Sequence, residues 1–163
     1  MRRHSCLLIA AVITVAAGCS KTTKTTKRGP DGQEVTMEHK GDQVALDVKT
    51  ASGDTQKIKV SGKGMALPAD FPKDVPVYPK AVMKMDNTVG PLRMVGLYIA
   101  DPVADGVKFY TEEMKKQGWT IDGSMAMGEG HMLTCRKDQR SCQILIAKDG
   151  KETYVQLTIK AGD

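Results

Sequence analysis

The sequence predicts an α+β fold, in which an N-terminal antiparallel β-meander precedes a β-β-α-β-β-β body with one cover helix. Apolar and polar residues alternate between residues 34 and 60, as in strands that bury one face. An amphipathic helix is indicated after Asp101-Pro102, and alternation returns from Trp119 onward. Aromatic residues are only 4% of the chain, so aliphatic side chains and ten methionines must supply most of the core.

The first 18 residues have the pattern of an export signal. Arg2, Arg3 and His4 form a positive start, and a nearly continuous apolar run follows from Cys6 to Ala17. A membrane-spanning helix needs about 20 apolar residues, so this run is too short to cross a bilayer. We therefore expect residues 1–18 to be a signal peptide that is removed from the mature protein.

The end of this segment, Ala16-Ala17-Gly18-Cys19, resembles the lipobox of bacterial lipoproteins. The resemblance implies cleavage before Cys19, a diacylglyceryl group on its thiol, and a fatty acid such as palmitate on the freed amine. Two or more acyl chains anchor a protein stably, so the bilayer is an expected partner. Apart from this covalent lipid, no cofactor is expected. In the same family, Ser20 implies an outer-membrane location facing the periplasm. The alternative is an ordinary secretory signal that leaves Cys19 as a free thiol.

Residues 19–30 are expected to form a polar tether behind the lipidated cysteine. Lys21, Lys24, Lys27 and Arg28 are separated mainly by threonine, a composition that does not bury itself. After this tether, 18 Lys and Arg residues are matched by 19 Asp and Glu residues, although the whole chain has a formal charge of +5. This balance in the folded part argues against a nucleic-acid partner.

Two segments connect the tether to the body. Residues 31–62 are expected to form a three-stranded meander, because the turn residues Gly41-Asp42 and Ser52-Gly53-Asp54 interrupt the alternation. So small a sheet is marginal alone and must pack on the rest of the domain, on a partner or on a second copy. Residues 63–80 contain four prolines and are expected to form a connector that crosses the body as a strap.

The connector and the body resemble segments of small bacterial envelope lipoproteins. The resemblance is carried by the proline-rich run from Leu67 to Lys80 and by a later helix that ends in Lys-x-x-Gly-Trp. It covers Leu67 to Ile159 and implies an envelope lipoprotein, but it brings no established activity and no catalytic residues.

The body, residues 81–163, is expected to contain one helix that covers a sheet. Asp101 is predicted to cap the helix, Pro102 to occupy its first position, and Gly118 to follow its end. Its apolar stripe is formed by Val103, Val107, Tyr110 and Met114. The next strand is expected to carry Trp119, Ile121, Met125 and Met127 on one side. A last hairpin turning at Asp149-Gly150 is expected to set Ile144 opposite Val155 and Cys142 opposite Leu157.

Cys135 and Cys142 flank a polar segment that is expected to form a hairpin turn. If the hairpin is symmetric about Asp138-Gln139, the two cysteines face each other at a Cα separation within the range of a disulfide. In an oxidising envelope we expect that bond to form. A redox pair and a two-thiolate metal site are the alternatives.

Methionines supply a second candidate metal site. Met83 with Met85, and Met125 with Met127, are each expected to share one side of a strand, with His131-Met132 nearby. Thioether and imidazole ligands suit Cu(I). The alternative, which we favour, is that the methionines fill the core in place of aromatic residues.

The sequence contains no nucleophile motif, and only His39 and His131 remain after removal of the signal peptide. We therefore expect a non-enzymatic, membrane-anchored accessory or interaction module that faces the periplasm and has an envelope protein as its partner. Binding of a soft metal such as Cu(I), or of a small ligand, is the alternative, and an envelope hydrolase is a distant third.

Overall fold

The computed structural model describes residues 22–162, so the predicted signal peptide and Cys19 lie outside the described residues. The described chain contains ten strands and one helix. They are β1 (Thr22–Arg28), β2 (Glu34–Lys40), β3 (Gln43–Lys49), β4 (Thr55–Met65), β5 (Val82–Val89), β6 (Leu92–Ile99), α1 (Val103–Lys116), β7 (Thr120–Met127), β8 (Gly130–Lys137), β9 (Arg140–Asp149) and β10 (Glu152–Lys160).

All ten strands form one antiparallel sheet in the order β1-β2-β3-β4-β5-β6-β10-β9-β8-β7. Strands account for 59% of the structure and helix for 10%. The predicted α+β class is therefore wrong, and the fold is of the mostly-β class. The predicted β-β-α-β-β-β body is also one strand short, because four strands, β7 to β10, follow the helix.

The meander and the body are joined edge to edge and do not form separate units. β4 pairs with β5 over residues that run from Gln56 opposite Val89 to Met65 opposite Met83. A three-stranded sheet gains little stability alone, so extending the body sheet is the way in which this sequence stabilises the meander.

The segment expected to be a tether supplies the edge strand β1. Thr22 lies opposite Lys40 and Arg28 lies opposite Glu34, with which it also forms an ion pair at 2.9 Å. Threonine has a high strand propensity, and the exposed lysines are tolerated because an edge strand faces water. The charged composition that suggested a tether is therefore equally suited to a sheet edge.

The helix and the strap cover the same side of the sheet, which we call the inner face; the opposite side is the outer face. The inner face of the body forms the core. Its most deeply buried strand residues are Val95, Leu97, Leu133, Cys135, Cys142, Ile144, Ile146, Val155 and Leu157. These positions alternate along β6, β8, β9 and β10, as expected for a sheet covered on one side.

Helix α1 buries the predicted stripe. Tyr110 and Met114 are fully buried, and Val103 and Val107 pack against the core. The first turn differs from the prediction, because Pro102 takes the N-cap position and no side chain caps the helix. The Asp101 carboxylate instead accepts a hydrogen bond from the Tyr78 hydroxyl at 2.8 Å and so holds the strap against the start of the helix.

The strap, residues 66–81, lies across the inner face beside the helix. Phe71 and Val75 are buried in the core. The indole Nε1 of Trp119 donates a hydrogen bond to the backbone oxygen of Asp74 at 2.8 Å. The proline-rich segment is thus part of the packed structure and completes the cover of the sheet.

Two register shifts change which side chains share a face. One lies between Met83 and Met85 in β5, and the other lies between Ile121 and Gly123 in β7. Because each shift adds one residue to a strand, the alternation of faces changes phase there. The prediction that Trp119, Ile121, Met125 and Met127 share one side is wrong: Ile121 opposes Cys135 on the inner face, whereas Met125 opposes Met132 on the outer face.

The last hairpin is shifted by one pair from its predicted register. Ile144 lies opposite Leu157, and Cys142 lies opposite Ile159. The cause is the position of the turn. Gly150, with φ of 61°, and Lys151 form the two-residue loop, whereas the prediction placed the loop at Asp149-Gly150. Strand β9 therefore ends one residue later than predicted. The shift leaves the same residues on the inner face, because the side-chain period of a strand is two.

Candidate ligand-binding groove

Cys135 and Cys142 are direct cross-strand neighbours in β8 and β9. Both side chains are fully buried beneath the helix and the strap as free thiols, so the structure describes the reduced protein and the expected disulfide stays a prediction. Burial raises the pKa of Cys135 to about 11 and raises that of Cys142 even further from its usual range. A thiol that stays protonated is a poor nucleophile and a poor metal ligand, so this pair lacks the character of a reactive site.

The candidate methionine site is dispersed. Met83 is buried on the inner face, whereas Met85 lies opposite Gly96 on the outer face. Only Met125, Met127 and Met132 are neighbours, at the β7–β8 end of the outer face. His131 lies on the inner face at the same end, where its Nε2 is 2.7 Å from the Ser124 hydroxyl.

Within residues 22–162, no group of three or more His, Cys, Asp or Glu side chains is placed to hold a metal ion. The six sequence-predicted ligands do not form one site either, because the register divides them between the two faces of the sheet. The register shifts in β5 and β7 are the reason, because they send the paired methionines of β5 to opposite faces and turn the β7 pair away from His131.

A groove of about 460 Å³ lies on the inner face where the meander meets the start of the strap. Its meander side is built by β2, β3 and β4, which supply Glu38, Lys40, Gln43, Ala45 and Lys59, together with the adjoining Val44 and Val60. Its other side is formed by Met65, Ala66 and Pro68 and by Met83 and Asp86 of β5. The groove thus combines a charged wall with an apolar one.

The register explains the charged wall. Glu38 lies opposite Ala45, and Ala45 lies opposite Lys59. Two strand spacings separate Glu38 from Lys59, which is roughly 10 Å between their backbones. Ala45 has too short a side chain to fill the space between them, so it forms the floor of the groove.

Among the described residues, Glu38, Lys40 and Lys59 form no ion pair with each other or with other side chains. Lys59 lies directly opposite Asp86, but the Asp86 carboxylate is already held by Arg93 at 2.9 and 3.0 Å. Lys24 of β1 lies directly opposite Glu38 but forms no ion pair with it, so the groove contains one carboxylate and two ammonium groups that no ion pair with a described residue holds.

Arg93 holds Asp86, which lines the groove, in place. Its guanidinium also contacts Asp70 of the strap at 3.0 Å. This hydrogen bond lowers the pKa of Asp70 below its usual value. One arginine thus joins β5, β6 and the strap, and it fixes the wall that carries Asp86.

A bulge in β4 opens the groove at its mouth. The Asp42 carboxylate accepts hydrogen bonds from the Ser61 hydroxyl at 2.7 Å and from the Lys63 backbone N–H at 2.8 Å. Gly64 has φ of 105°, and a Cβ there would lie 2.6 Å from Val82 Cγ1. The bulge brings Met65 opposite Met83, so that Met65 lies on the inner face beside the groove.

The groove lies at the end of the sheet where β1 begins. Thr22 is opposite Lys40, which lines the groove. Cys19 precedes Thr22 by three residues, and three residues span at most about 10 Å.

The outer face has no helix or strap over it in the described part of the chain. Eight large hydrophobic side chains are exposed, and the register places seven of them on this face. They are Met37, Val60, Val82, Val89, Leu92, Met125 and Met127. The exposed apolar surface is therefore concentrated on one side of the sheet.

Comparison with known proteins identifies one similarity. A family model described as START domain-like matches residues 82–153, from the start of β5 to the start of β10. The match covers less than half of the chain and leaves out the meander and the strap. No curated protein and no solved structure matches the chain. The chain is thus similar to START-like domains over this segment, and most of the groove lies outside it.

The groove could not be recognised from the amino-acid sequence. Its charged residues belong to three strands of the meander, where they alternate with apolar residues as on any solvent-facing side of a sheet. One signal was present: Ala45 is the single small residue in the centre of β3, opposite two charged neighbours. Using that signal requires the registers of β2, β3 and β4, which the sequence gives only approximately.

Proposed function

We propose that the chain is a lipid-anchored protein of the bacterial envelope that works by binding a small ligand and not by catalysis. The observation that carries this proposal is the groove of about 460 Å³ with unpaired charges on one wall and apolar residues on the other. Such a combination of an apolar surface and a few polar groups is typical of small-molecule sites. The similarity of residues 82–153 to START-like domains, which are generally ligand-binding, supports the same conclusion.

The space between helix and sheet is a less suitable site. Gly106 of α1 approaches the sheet so closely that a Cβ there would lie 3.2 Å from Ile146 Cγ2 and 3.4 Å from Ile99 Cδ1. Tyr110 and Met114 are fully buried in the same interface. A ligand would have to displace this packing, whereas the groove is already open.

The anchor follows from the lipobox at Ala16-Ala17-Gly18-Cys19 and from its position in the chain. No helix within residues 22–162 is long and apolar enough to cross a membrane. A diacylglyceryl group on Cys19 would hold the groove end of the sheet near the bilayer, facing the periplasm from the outer membrane. The bilayer is then the first partner of the protein.

Blocking the groove tests the binding function. In the Ala45→Phe variant the aromatic ring fills the floor of the groove; Ala126→Phe places the same ring at an exposed position of β7 as a matched control. Native mass spectrometry of the protein isolated from its own membranes should detect a retained small molecule in the wild type and in the control, and its loss from the groove-blocked variant. Equal retention in all three proteins would contradict the proposal.

A Cys19→Ala variant tests the anchor. The wild-type protein should sediment with membranes, and its N-terminal peptide should begin at an acylated Cys19. The variant should remain uncleaved at this site and carry no lipid. A wild-type protein found in the soluble periplasmic fraction without acyl chains would contradict the anchor while leaving the binding function to its own test.

The outer face favours a second candidate function, that of an interaction module. Sheets with an apolar face are normally covered by another layer at about 10 Å, and we take a second copy of this chain as the occupant, because identical apolar rows can pack against themselves. Sedimentation velocity should then show a dimer that dissociates in a Met125→Lys, Met127→Lys variant. A monomer at all concentrations would exclude this candidate.

A further inference from the structure

We infer that the ligand of the groove is zwitterionic: a small molecule with one ammonium group and one phosphate or carboxylate group on a short linker, and with an apolar part. This inference rests on the proposed function, because it names the ligand class of the same groove. It goes beyond that function by assigning a role to each wall.

The charges of the groove favour a ligand that carries both signs. Glu38 provides a carboxylate for an ammonium group, whereas Lys40 and Lys59 provide ammonium groups for an anion. A purely anionic ligand would leave Glu38 facing an anion, and a purely cationic one would leave both lysines facing a cation. Like charges brought together in a partly desolvated groove cost free energy, so a ligand of mixed charge is preferred.

The spacing of these charges fits a short linker. The backbones of Glu38 and Lys59 are roughly 10 Å apart, with only the Ala45 methyl group between them. Both side chains are long enough to lean toward each other, yet they form no ion pair in the described structure. A short ligand, in which two to four atoms separate the charges, is therefore the kind that we assign to this space.

The opposite wall accounts for the apolar part of the ligand. Met65, Pro68 and Met83 contribute apolar atoms, and Met83 is only 4% exposed. Because Arg93 holds Asp86 in a bidentate contact, this wall has no free charge of its own close to the methionines. An aliphatic segment can lie there without facing an uncompensated charge.

Two sources can supply this chemistry. The groove lies at the end of the sheet that begins three residues after Cys19, so a zwitterionic headgroup of the anchoring membrane is within reach. A soluble zwitterion of the periplasm has the same charged groups. The soluble headgroup glycerophosphoethanolamine is therefore a suitable probe, since it represents both.

The test uses the full mature protein and isothermal titration with three probes. Glycerophosphoethanolamine carries both charges, glycerophosphoglycerol carries only the anion, and ethanolamine carries only the cation. We expect the zwitterion to bind at least about tenfold more tightly than either singly charged probe, which corresponds to one charge-assisted hydrogen bond. Equal affinity for glycerophosphoethanolamine and glycerophosphoglycerol would overturn the inference.

Variants locate the binding on the charged wall. Lys59→Gln and Glu38→Gln should each weaken binding of glycerophosphoethanolamine about tenfold, and Glu38→Gln should also abolish the preference over glycerophosphoglycerol. Lys57→Gln is the matched control, because Lys57 lies on the same face of the same strand but outside the groove. An equal loss in Lys57→Gln and Lys59→Gln would overturn the assignment. Circular dichroism and thermal melting check that each variant is folded.

The results of these experiments distinguish the zwitterionic ligand class from the proposed binding function itself. If the protein retains a native molecule that Ala45→Phe releases, but does not prefer the zwitterionic probe, the inference falls and the binding function stands. If Ala45→Phe retains the molecule as the wild type does, the binding function itself falls.

Vesicles distinguish the two sources once the probe has bound. Vesicles of phosphatidylethanolamine with phosphatidylcholine should compete with the soluble probe if the ligand is a membrane headgroup. Vesicles of phosphatidylcholine alone serve as the control, because their bulkier trimethylammonium cannot donate a hydrogen bond to Glu38. Failure of both vesicles to compete, with the soluble probe still bound, assigns the ligand to the soluble pool.

Discussion

Asp74 of the strap is the most highly connected carboxylate of the described chain. It accepts hydrogen bonds from Lys137 Nζ at 2.8 Å and from both terminal nitrogens of Arg140. The Arg140 contact and then the Lys137 contact hold the pKa of Asp74 well below its usual value, against the effect of burial. Its side chain is 24% exposed, so solvent screens this cluster only partly.

The first prediction concerns this carboxylate. Because the folded-state pKa of Asp74 is depressed, its contribution to stability is complete above the usual pKa of 3.8 and is lost as the pH falls below it. Asp74→Asn should lower the free energy of unfolding at neutral pH by about 1–2 kcal/mol. Between about pH 5 and pH 2, the variant should then lose less stability than the wild type in urea titrations.

Asp47→Asn is the control for this prediction, because Asp47 is exposed on β3 and forms no ion pair within residues 22–162. If the free energy of unfolding fell equally with decreasing pH in the wild type and in Asp74→Asn, this cluster would not stabilise the strap.

The second prediction concerns Cys135 and Cys142. Burial and a raised pKa should protect both thiols of the reduced, folded protein from alkylation at neutral pH. After unfolding, protein from a reducing cytoplasm should take up a label on each of Cys135 and Cys142, whereas protein from the envelope should take up a label on neither because the disulfide has formed. Labelling of two thiols in envelope-derived protein would contradict the expected disulfide.

These two sites differ in how far the sequence predicts them. Cys135 and Cys142 lie opposite each other because the turn between them is short and symmetric. Their pairing can therefore be predicted from the local sequence alone. The contacts of Asp74 join positions more than 60 residues apart, and nothing local in the sequence identifies Lys137 and Arg140 as its partners.

At the scale of single elements, the helix shows how closely an element can approach the sheet when one residue is small. Gly106 is buried between α1 and the sheet, where a Cβ would lie within 3.4 Å of both Ile99 and Ile146. A glycine inside a helix normally costs stability, so its presence here indicates a steric requirement.

The third prediction follows from this contact. Gly106→Leu should lower the free energy of unfolding by about 1–3 kcal/mol, because the added side chain must push the helix away from Ile146 despite its better helix propensity. Ala104→Leu, at an exposed position of the same helix, should have little effect. The free energy of unfolding is measured by chemical denaturation. A gain in stability for Gly106→Leu would show that the interface between helix and sheet can accommodate a larger side chain, and would contradict the prediction.

Elements with regular periodicity were predictable, and those with an irregularity were not. The stripe of α1 needs only the helical period, so its buried residues agree with the structure. The bulges near Met83 and near Ile121 leave no mark in a pattern of alternation, because a shift of one residue exchanges one face for the other. This explains why the candidate methionine ligands are dispersed.

At the scale of the whole molecule, the sheet has two parts with different covers. In the body, helix and strap bury the inner face, whereas in the meander the inner face is charged and forms the groove wall. Within residues 22–162, the only strand pairing that joins the meander to the body is that of β4 with β5. The stability of the meander should therefore be lower than that of the body although both belong to one sheet.

The fourth prediction tests this difference by hydrogen exchange. Backbone amides of β6, β9 and β10 should exchange slowest, because their inner side chains are fully buried. Amides of β1 should exchange fastest, since every residue of this edge strand is exposed. Protection of β1 equal to that of β9 would show that another layer covers the meander.

The fold class is the property that was predicted least well from the sequence. Each strand of the meander and most strands of the body could be recognised, but alternation does not show which strands pair across a long connection. The strap separates β4 from β5 by 16 residues, and their pairing turns two expected units into one sheet. The groove depends on the same pairing and was hidden for the same reason.

Methyl NMR of the protein labelled with ¹³C at its methionine methyl groups can show directly whether a ligand occupies the groove. Spectra of the protein isolated from its membranes are compared with spectra after unfolding, removal of small molecules and refolding. If the ligand occupies the groove, the resonances of Met65 and Met83 should shift on its removal, while those of Met125 and Met127 on the outer face should not. Shifts confined to Met125 and Met127, with Met65 and Met83 unchanged, would contradict the groove as the functional site.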